Sequence, residues 1–281
     1  MSDRRVAQQG ATPMIITLTT DFGYSEYVAQ VKGVILSINK DAKVVDVSHS
    51  ISPRNIREGA FVLYSALPYF PPAIHVAVVD PGVGSERRGI VAACDEAILV
   101  GPDNGLLIPA AKRLGLKQVR EIANKDLCRS EISQTFQGRD IFGPVAAHLS
   151  AGTSLAEVGP QIGDWVDLTF GKWRESQDEI EGEVIYADRF GNLITNIPGD
   201  VVLTRGRFGE SLNTRIGDKR LIAKFVGSYG FGREGRPLLT ISSSGFLEIS
   251  VRDGSALEEF GAAAETPVSI RLARPSKGIS K

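Results

Sequence analysis

Hydrophobic and polar positions follow one pattern in the first 170 residues and a different one after residue 178. Short apolar runs such as residues 14–19 alternate with segments like residues 25–39, in which apolar side chains recur every three or four positions. The first pattern is typical of buried strands and the second of amphipathic helices. Strands and helices that alternate at this length predict an α/β domain with a mainly parallel sheet and right-handed crossovers.

Downstream, short alternating segments separated by glycine-bearing turns predict a smaller all-β, barrel-like C-terminal domain without helices. We place the two domains at residues 14–170 and 179–273, between a leader and a tail that we expect to be flexible. The predicted strands of the second domain are residues 181–187, 193–197, 221–226, 237–241, 246–251 and 268–272.

Three local signals refine the first domain. Ser52-Pro53 has the form of an N-cap followed by a first-turn proline, which predicts that the second helix begins there. Residues 89–94 and 97–100 read as a hairpin closed by a polar pair. A dense turn at residues 101–105 precedes a helix predicted at residues 106–114.

The stretch from residue 74 to 88, IHVAVVDPGVGSERR, ends a buried strand in a carboxylate, a glycine-rich turn and two arginines. Asp80 is predicted at the carboxyl end of a parallel strand, where α/β sheets bind ligands, and Asp21 follows the first strand in the same way. Gly84 leaves room for a close backbone approach, and Arg87 can fold back toward Asp80. The alternative is that Asp80 caps a Pro-Gly turn and Arg87 is a surface charge.

Composition narrows the classes of function. The 281 residues carry a formal net charge of -1 and 42% hydrophobic residues, enough for one or two cores, and no basic stripe that would follow a phosphate backbone. We therefore expect no nucleic-acid partner. No run of about 18 apolar residues indicates a membrane span, and no signal-peptide core is visible, so we expect a cytoplasmic location. Two cysteines and three dispersed histidines offer no metal-ligand spacing.

Several polar clusters stand at the predicted strand ends, and none is a Walker loop or a GxGxxG dinucleotide motif. In order they are TTDFG, VDVSHSI, DPGVGSERR, GPDNGLL, GRDIFGPVAAHL, FGNLITN and SSSGFLEI. Together they resemble the S-adenosyl-L-methionine hydroxide adenosyltransferase family, which is related to the fluorinases and chlorinases. The resemblance spans residues 14–272 and implies homotrimers that hold the small-molecule substrate between one subunit's N-terminal domain and its neighbour's C-terminal domain.

The resemblance also implies roles for individual residues. Asp21 matches the aspartate that binds both ribose hydroxyls, for which two carboxylate oxygens are suited. Asp188 matches the residue that holds the methionine ammonium, and Asn192 the residue that contacts the adenine edge. Phe190 is expected to pack nearby, and Ser243 matches the position that binds the substrate carboxylate.

The implied reaction is an in-line attack of water or hydroxide at C5′ that yields adenosine and L-methionine without a cofactor or metal. Asp80 is the candidate proton acceptor, with Arg87 as its partner. A carboxylate paired with an arginine is a weak base, so we expect the positioning of the water to matter most. Gln137 occupies the place of a histidine that completes a triad in hydrolytic relatives, and glutamine cannot take up a proton near neutral pH.

Two alternatives remain open at this point. A halogenase would keep the same fold and substrate, although an ionised Asp80 would repel a halide, and Ser244 and Arg54 stand where halogenating relatives have an arginine and a tryptophan. A catalytically weak protein that binds S-adenosyl-L-methionine or adenosine is the second alternative, because Gln137 replaces the family histidine.

Overall fold

The computed structural model describes residues 14–271. The expected leader and tail lie outside this range, as do residues 272 and 273, the last two of the predicted second domain. The described residues form two compact units that divide between Leu168 and Thr169. Each unit has its own apolar core.

The N-terminal unit is a seven-stranded sheet with helices, in the strand order β2-β1-β3-β5-β4-β6-β7. Its strands are β1 (Ile15–Thr20), β2 (Lys43–Ser48), β3 (Ala73–Val78), β4 (Gly89–Ala93), β5 (Ala97–Pro102), β6 (Gln118–Glu121) and β7 (Gln161–Ile162). Its helices are α1 (Glu26–Ile38), α2 (Ile56–Ala66), α3 (Ile108–Arg113), α4 (Gly143–Ser150) and α5 (Leu155–Val158). Strands β2, β1, β3 and β5 are parallel, and the β4–β5 hairpin is antiparallel. The predicted α/β domain with a mainly parallel sheet is thus confirmed.

Parallel pairing places the carboxyl ends of β1 and β3 side by side. Thr20 pairs with Val78 at the end of this ladder, and the chain leaves both strands at the same edge of the sheet. Asp21 and Asp80 therefore lie at this edge, where crossover topology opens a crevice for ligands.

The core of this unit lies between the sheet and helices α1 and α4. Both faces of the central strands are covered, so β3 is apolar and buried along its whole length. The fully or almost fully buried residues of this core include Ile16, Leu18, Val31, Ile35, Ile74, Val76, Phe142 and Val145.

The start of α2 differs from the prediction. Helix α2 begins at Ile56, and Asn55 is its N-cap, because the Asn55 side chain accepts a hydrogen bond from the Glu58 backbone N–H at 3.1 Å. Ser52 instead accepts the Asn55 N–H through its carbonyl, in a turn before the helix. A Ser-Pro pair and an Asn three residues later are equivalent cap signals locally, and the tertiary contacts of this turn select the second. Helix α3 likewise begins at Ile108, two residues later than predicted.

The C-terminal unit is a closed seven-stranded barrel, with the short strand β8 added at one edge. Its strands are β8 (Arg174–Glu175), β9 (Glu179–Ala187), β10 (Leu193–Pro198), β11 (Ser211–Ile216), β12 (Lys219–Phe225), β13 (Pro237–Ile241), β14 (Phe246–Val251) and β15 (Pro267–Arg271). The order is β10-β14-β13-β12-β11-β15-β9, and pairing of β10 with β9 closes the ring. This confirms the predicted barrel-like domain, and closure leaves these seven strands without a free edge.

The sequence prediction missed the two-residue strand β8, the strand β11 and two helices of this unit. Strand β11 alternates cleanly between buried and exposed positions, but Thr214 takes an inward position between Leu212 and Ile216 and hides the apolar pattern. Helices α6 (Gly199–Arg205) and α7 (Ala256–Phe260) are short and so give no helical period. Helix α7 is signalled only by its cap, because Ser255 accepts the Glu258 N–H at 3.1 Å.

None of the helices in residues 14–271 combines the length and the apolar character needed to cross a bilayer.

The buried His75 makes the stability of the protein depend on pH. His75 is 1% exposed, and burial lowers its pKa from 6.5 to about 4. Between these two values the unfolded chain binds a proton that the folded protein does not bind. Lowering the pH from 7 to 4 should therefore reduce the free energy of unfolding by about 3 kcal/mol through this residue.

Urea unfolding of wild type and of a His75→Gln variant at both pH values measures this contribution. Position 75 has no titrating group in the variant, so its loss of stability on acidification should be smaller by that amount. An equal loss in both proteins would contradict the assignment.

Candidate active site

Asp80 is delivered to the sheet edge by the buried strand β3 and is followed at once by a tight turn. The Val83 N–H bonds the Asp80 carbonyl at 3.3 Å, and the Ser85 N–H bonds the Gly82 carbonyl at 3.1 Å. Gly84 has a φ of +79°, in the left-handed region that favours glycine. These turns reverse the chain and return Arg87 to the carboxylate of Asp80.

Arg87 and Asp80 form a buried ion pair with bidentate geometry. The Arg87 Nε donates to Asp80 Oδ1 at 2.9 Å, and Nη2 donates to Oδ2. The two side chains are 12% and 4% exposed, so water screens the pair little. Arg87 also donates to the Arg88 carbonyl at 2.9 Å, and its guanidinium lies 5.3 Å from the centre of the Phe142 ring. The expected contact between Arg87 and Asp80 is therefore present, with both side chains held in one orientation.

Gln137 completes this cluster. Its Oε1 accepts a hydrogen bond from Arg87 Nη2 at 2.6 Å. The orientation of the amide follows from this contact, because a guanidinium can only donate. The Gln137 Nε2 therefore keeps its two N–H donors for another acceptor, and these donors do not change with pH near neutrality.

The chain segment that carries Gln137 is anchored just after it. Gln137 precedes a single turn of π-helix, Gly138–Phe142, that runs directly into α4. Asp140 in this turn is fully buried and accepts from Arg139 Nε at 2.7 Å and from the Ser133 N–H at 2.8 Å. Burial alone would raise the pKa of Asp140, but these contacts outweigh it and hold the pKa below its usual range. The resulting anion ties the two ends of the loop together.

Asp21 lies on the neighbouring strand end, partly buried. Its Oδ2 accepts the backbone N–H of Arg54 at 2.8 Å, and Arg54 has a φ of +67°, unusual for a residue other than glycine. Arg54 makes this contact through its backbone, so the contact does not depend on the identity of its side chain. The hydrogen bond to Asp21 accounts for the turn of the chain through residues 52–55 before α2 begins.

A cavity of about 70 Å3 joins these groups. Asp21, Asp80 and Gln137 contribute its polar surface, and Phe22, Val78, Val83 and Phe136 its apolar surface. Phe136 packs edge-to-face against Phe22 and Tyr27, with ring centres 5.7 and 5.1 Å apart. The N-terminal unit thus brings together Asp21, Asp80, Arg87 and Gln137, and the cavity has room for ordered water beside them.

The C-terminal unit contributes a second polar cluster, on the turn between β9 and β10. Asp188 Oδ1 accepts the backbone N–H groups of Phe190 and Asn192, both at 2.9 Å, and Oδ2 accepts Asn192 Nδ2 at 2.8 Å. Asn192 is 8% exposed, whereas Phe190 is 73% exposed. The predicted residues Asp188, Asn192 and Phe190 therefore form one rigid turn, with the carboxylate held by three donors and the phenyl ring in solvent.

Ser243 lies on a different turn of this unit, between β13 and β14, and is exposed. The turn closes with a Gly245 N–H to Ser242 carbonyl bond at 2.9 Å. Ser244 is buried, and its hydroxyl lies 2.8 Å from that of Ser242. The side chain at position 244 therefore contacts its own turn.

The sequence analysis missed Glu248 and Tyr229, two residues near Asp188. Glu248 is 3% exposed and accepts the hydroxyls of Tyr229 and Ser250, both at 2.7 Å. Burial raises the pKa of Glu248, the charge of Asp188 raises it further, and the two hydroxyl donors oppose this only in part. The signal was a charged residue inside the apolar run of β14, between core positions Leu247 and Ile249.

The chain is similar to known proteins along most of its length. A family model described as the SAM hydroxide adenosyltransferase N-terminal domain matches residues 16–159, and the model of the C-terminal domain of that family matches residues 182–269. A protein named (R)-S-adenosyl-L-methionine hydrolase from Methanocaldococcus jannaschii is 44% identical over 247 residues, which cover 84% of this chain and 88% of that protein.

A more distant relative and a solved structure are also similar to most of this chain. A fluorinase from an Actinoplanes species is 28% identical over 272 residues, covering 84% of this chain and 90% of that protein. The crystal structure of an uncharacterized conserved protein from Thermotoga maritima superposes with a TM-score of 0.86 at 38% identity, over 92% of this chain and 100% of that one.

The turn that returns Arg87 to Asp80 should not tolerate a side chain at Gly84. A Cβ at this position would lie 2.5 Å from the Gln134 carbonyl oxygen, in addition to the strain of the positive φ. We expect Gly84→Ala to lower the free energy of unfolding by about 2–4 kcal/mol. Gly209→Ala is the matched control, because Gly209 has a φ of +96° with no atom within 4 Å. The control should cost only about 1 kcal/mol in urea unfolding, and equal losses would exclude the contact with Gln134.

Proposed function

This chain belongs to the SAM hydroxide adenosyltransferase family, and we propose that Asp80, Arg87 and Gln137 carry out its reaction. The protein is an enzyme that hydrolyses S-adenosyl-L-methionine to adenosine and L-methionine. The observation that supports the residue assignment is the hydrogen bond from Arg87 to Gln137, which fixes what Gln137 offers to a water molecule.

The reaction is an in-line displacement. The oxygen of water forms a bond to C5′ while the C5′–S bond breaks. The electron pair of the C5′–S bond stays on sulfur, which gives neutral methionine. One water proton is lost to an acceptor or to solvent. Since the sulfonium is already activated, the leaving group needs no acid, cofactor or metal. The protein has to hold one water about 3 Å from C5′, opposite sulfur.

Asp80 and Gln137 are suited to hold that water from two sides. Each Asp80 oxygen accepts one bond from Arg87 and has a second lone pair for a water proton. Gln137 Nε2 can donate to the water oxygen, because Oε1 is occupied by Arg87. A water bound in this way keeps one lone pair free to attack carbon. Because both Asp80 oxygens already accept hydrogen bonds from Arg87, orientation of the water contributes more than proton abstraction.

We assign the substrate contacts to the N-terminal unit of one subunit and the C-terminal unit of a neighbouring subunit. Asp21 binds the ribose hydroxyls, and the Asp188 turn binds the ammonium and, through Asn192, the adenine edge. Phe190 supplies an exposed ring to pack against the substrate, and Ser243 binds the substrate carboxylate. The Asp188 turn supports this assignment, since a carboxylate held by three donors is a preformed site for a cation.

We further propose that the protein is a cytoplasmic homotrimer. The cavity beside Asp80 is about 70 Å3, far below the roughly 300 Å3 or more that encloses a ligand of this size. Additional surface must therefore cover a bound substrate, and a neighbouring subunit is a suitable source for it.

Halogenation is disfavoured by the bonds of Arg87. Four of its five N–H donors are committed to Asp80, Gln137 and the Arg88 carbonyl, which leaves little for a halide. The buried Asp80 carboxylate would in addition repel an anion at close range.

Replacement of Asp80 by Asn should reduce adenosine formation by about 100-fold or more while substrate still binds. Chromatography of S-adenosyl-L-methionine incubated with each protein, with and without chloride, measures the products, and calorimetry measures binding. Asp164→Asn is the matched control, because Asp164 also pairs with an arginine, Arg88, at 3.1 Å but is exposed. Full activity of Asp80→Asn would refute the assignment, and a 5′-chloro product would identify a halogenase.

Gln137 should leave the enzyme without a titrating group at this position. In a Gln137→His variant the imidazole must stay neutral to accept from Arg87, so protonation would break that bond and place two cations together. Because the neighbouring Arg87 disfavours a second positive charge, we expect the variant to lose kcat/KM at a pH below the ordinary histidine pKa of about 6.5, whereas wild type lacks this limb. A pH profile from 4.5 to 8 tests this, and identical profiles in the two proteins would contradict the role of position 137.

A further inference from the structure

His49 holds the chain on both sides of Asp21. It follows β2 at the carboxyl edge of the sheet, and its Nδ1 lies 2.9 Å from the Thr20 hydroxyl. Its backbone carbonyl accepts the Gly23 N–H at 2.8 Å. Residues immediately before and two residues after Asp21 are thus attached to one residue of the neighbouring strand end.

The neighbours of the two ring nitrogens of His49 indicate which nitrogen carries the proton. Thr20 Oγ1 accepts the Phe22 N–H at 3.2 Å, so its proton is free to be donated to His49 Nδ1. We assign the imidazole proton to Nε2, because that nitrogen faces the Asp46 carboxylate, which can only accept. Nε2 lies 3.0 Å from Asp46 Oδ1, although its N–H is not aimed directly at that oxygen.

Asp46 provides a fixed negative charge behind the imidazole. Lys32 Nζ lies 2.6 Å from Asp46 Oδ2. Burial raises the pKa of Asp46, but the hydrogen bond from Lys32 and the proximity of the His49 imidazole outweigh it, so that the pKa is lowered. The Lys32–Asp46 pair is partly exposed and adds little stability, and it places a carboxylate on the Nε2 side of the imidazole.

Asp21 has to be oriented because it faces a pair of hydroxyl groups. Its Oδ2 already accepts the Arg54 N–H at 2.8 Å, which sets the plane of the carboxylate. The position of its Cα is set by Thr20 and Gly23, the two residues attached to His49. A small shift of this turn would move one oxygen out of hydrogen-bond range.

We propose that His49 is a positioning residue that fixes the Thr20–Gly23 turn so that Asp21 binds both ribose hydroxyls of the substrate. His49 does not line the cavity and acts through Thr20. This inference rests on the proposed function, and it adds a specificity role for the VDVSHSI motif, which the hydrolytic mechanism does not use.

The test compares S-adenosyl-L-methionine with its 2′-deoxy analogue. In His49→Leu, the KM for the natural substrate should rise by about tenfold, with kcat within about twofold. The KM for the 2′-deoxy analogue should change little, so discrimination between the two falls by about tenfold. His49→Asn should restore most of the discrimination, because its Oδ1 can replace Nδ1 as the acceptor. Thr20→Val removes the same contact from the other side and should match His49→Leu.

His75 supplies a matched control within the same sheet. Its Nδ1 lies 2.8 Å from Thr17 Oγ1, a histidine–threonine pair of the same kind three residues earlier on β1. His75→Leu should change thermal stability but leave ribose discrimination as in wild type. If His49→Leu and Thr20→Val weaken both substrates equally, or if His75→Leu lowers discrimination as much, His49 has only a structural role and the proposal is overturned.

A second readout separates this inference from the proposed function. Calorimetry with adenosine and 2′-deoxyadenosine reports ribose discrimination without turnover. If wild type forms no adenosine from S-adenosyl-L-methionine, the proposed function fails, and the binding data alone decide the role of His49. If wild type is active and the variants keep full discrimination, only the inference about His49 fails.

Discussion

The ion pair between Arg87 and Asp80 determines the arrangement of the N-terminal site. Two charges this deeply buried are tolerated only when nearly every hydrogen-bonding group on them has a partner, and removing one partner of such a pair typically costs about 3–5 kcal/mol. The Gly84 turn provides the reversal of the chain that the pair needs. Gln137, the Arg88 carbonyl and the Phe142 ring occupy the remaining sides of the guanidinium. Together these groups hold the guanidinium in one orientation.

The two units provide carboxylates of different character. In the N-terminal unit Asp80 is neutralised by an arginine, so its charge is available only at short range. In the C-terminal unit Asp188 is held by amide donors alone, and the buried Glu248 nearby is held by two hydroxyls. The charge of Asp188 is therefore not balanced by a cationic side chain in its turn, whereas the charge of Asp80 is balanced by Arg87.

The sequence predicted those features that depend on local patterns. Strand ends at Asp21 and Asp80 followed from hydrophobic runs and parallel topology, and strands at 237–241 and 246–251 were predicted at their observed bounds. The start of α2 was wrong because the choice between Ser52 and Asn55 is made by a contact with Asp21, far away in sequence. Glu248 and Tyr229 were missed for the same reason, since their hydrogen bond joins residues 19 positions apart. Residue roles came from the family resemblance, which local patterns could not supply.

The two histidine–threonine pairs of the sheet differ in how well they tolerate replacement by apolar side chains. Thr17 and His75 contact each other in a fully buried layer, and replacing both partners of a buried hydrogen bond by apolar side chains of the same shape is nearly neutral. Lineages that live in acid would therefore gain stability by exchanging this pair together. Thr20 and His49 have no such freedom, because an apolar exchange would release the turn that carries Asp21. We expect related sequences to drift at the first pair and to stay unchanged at the second.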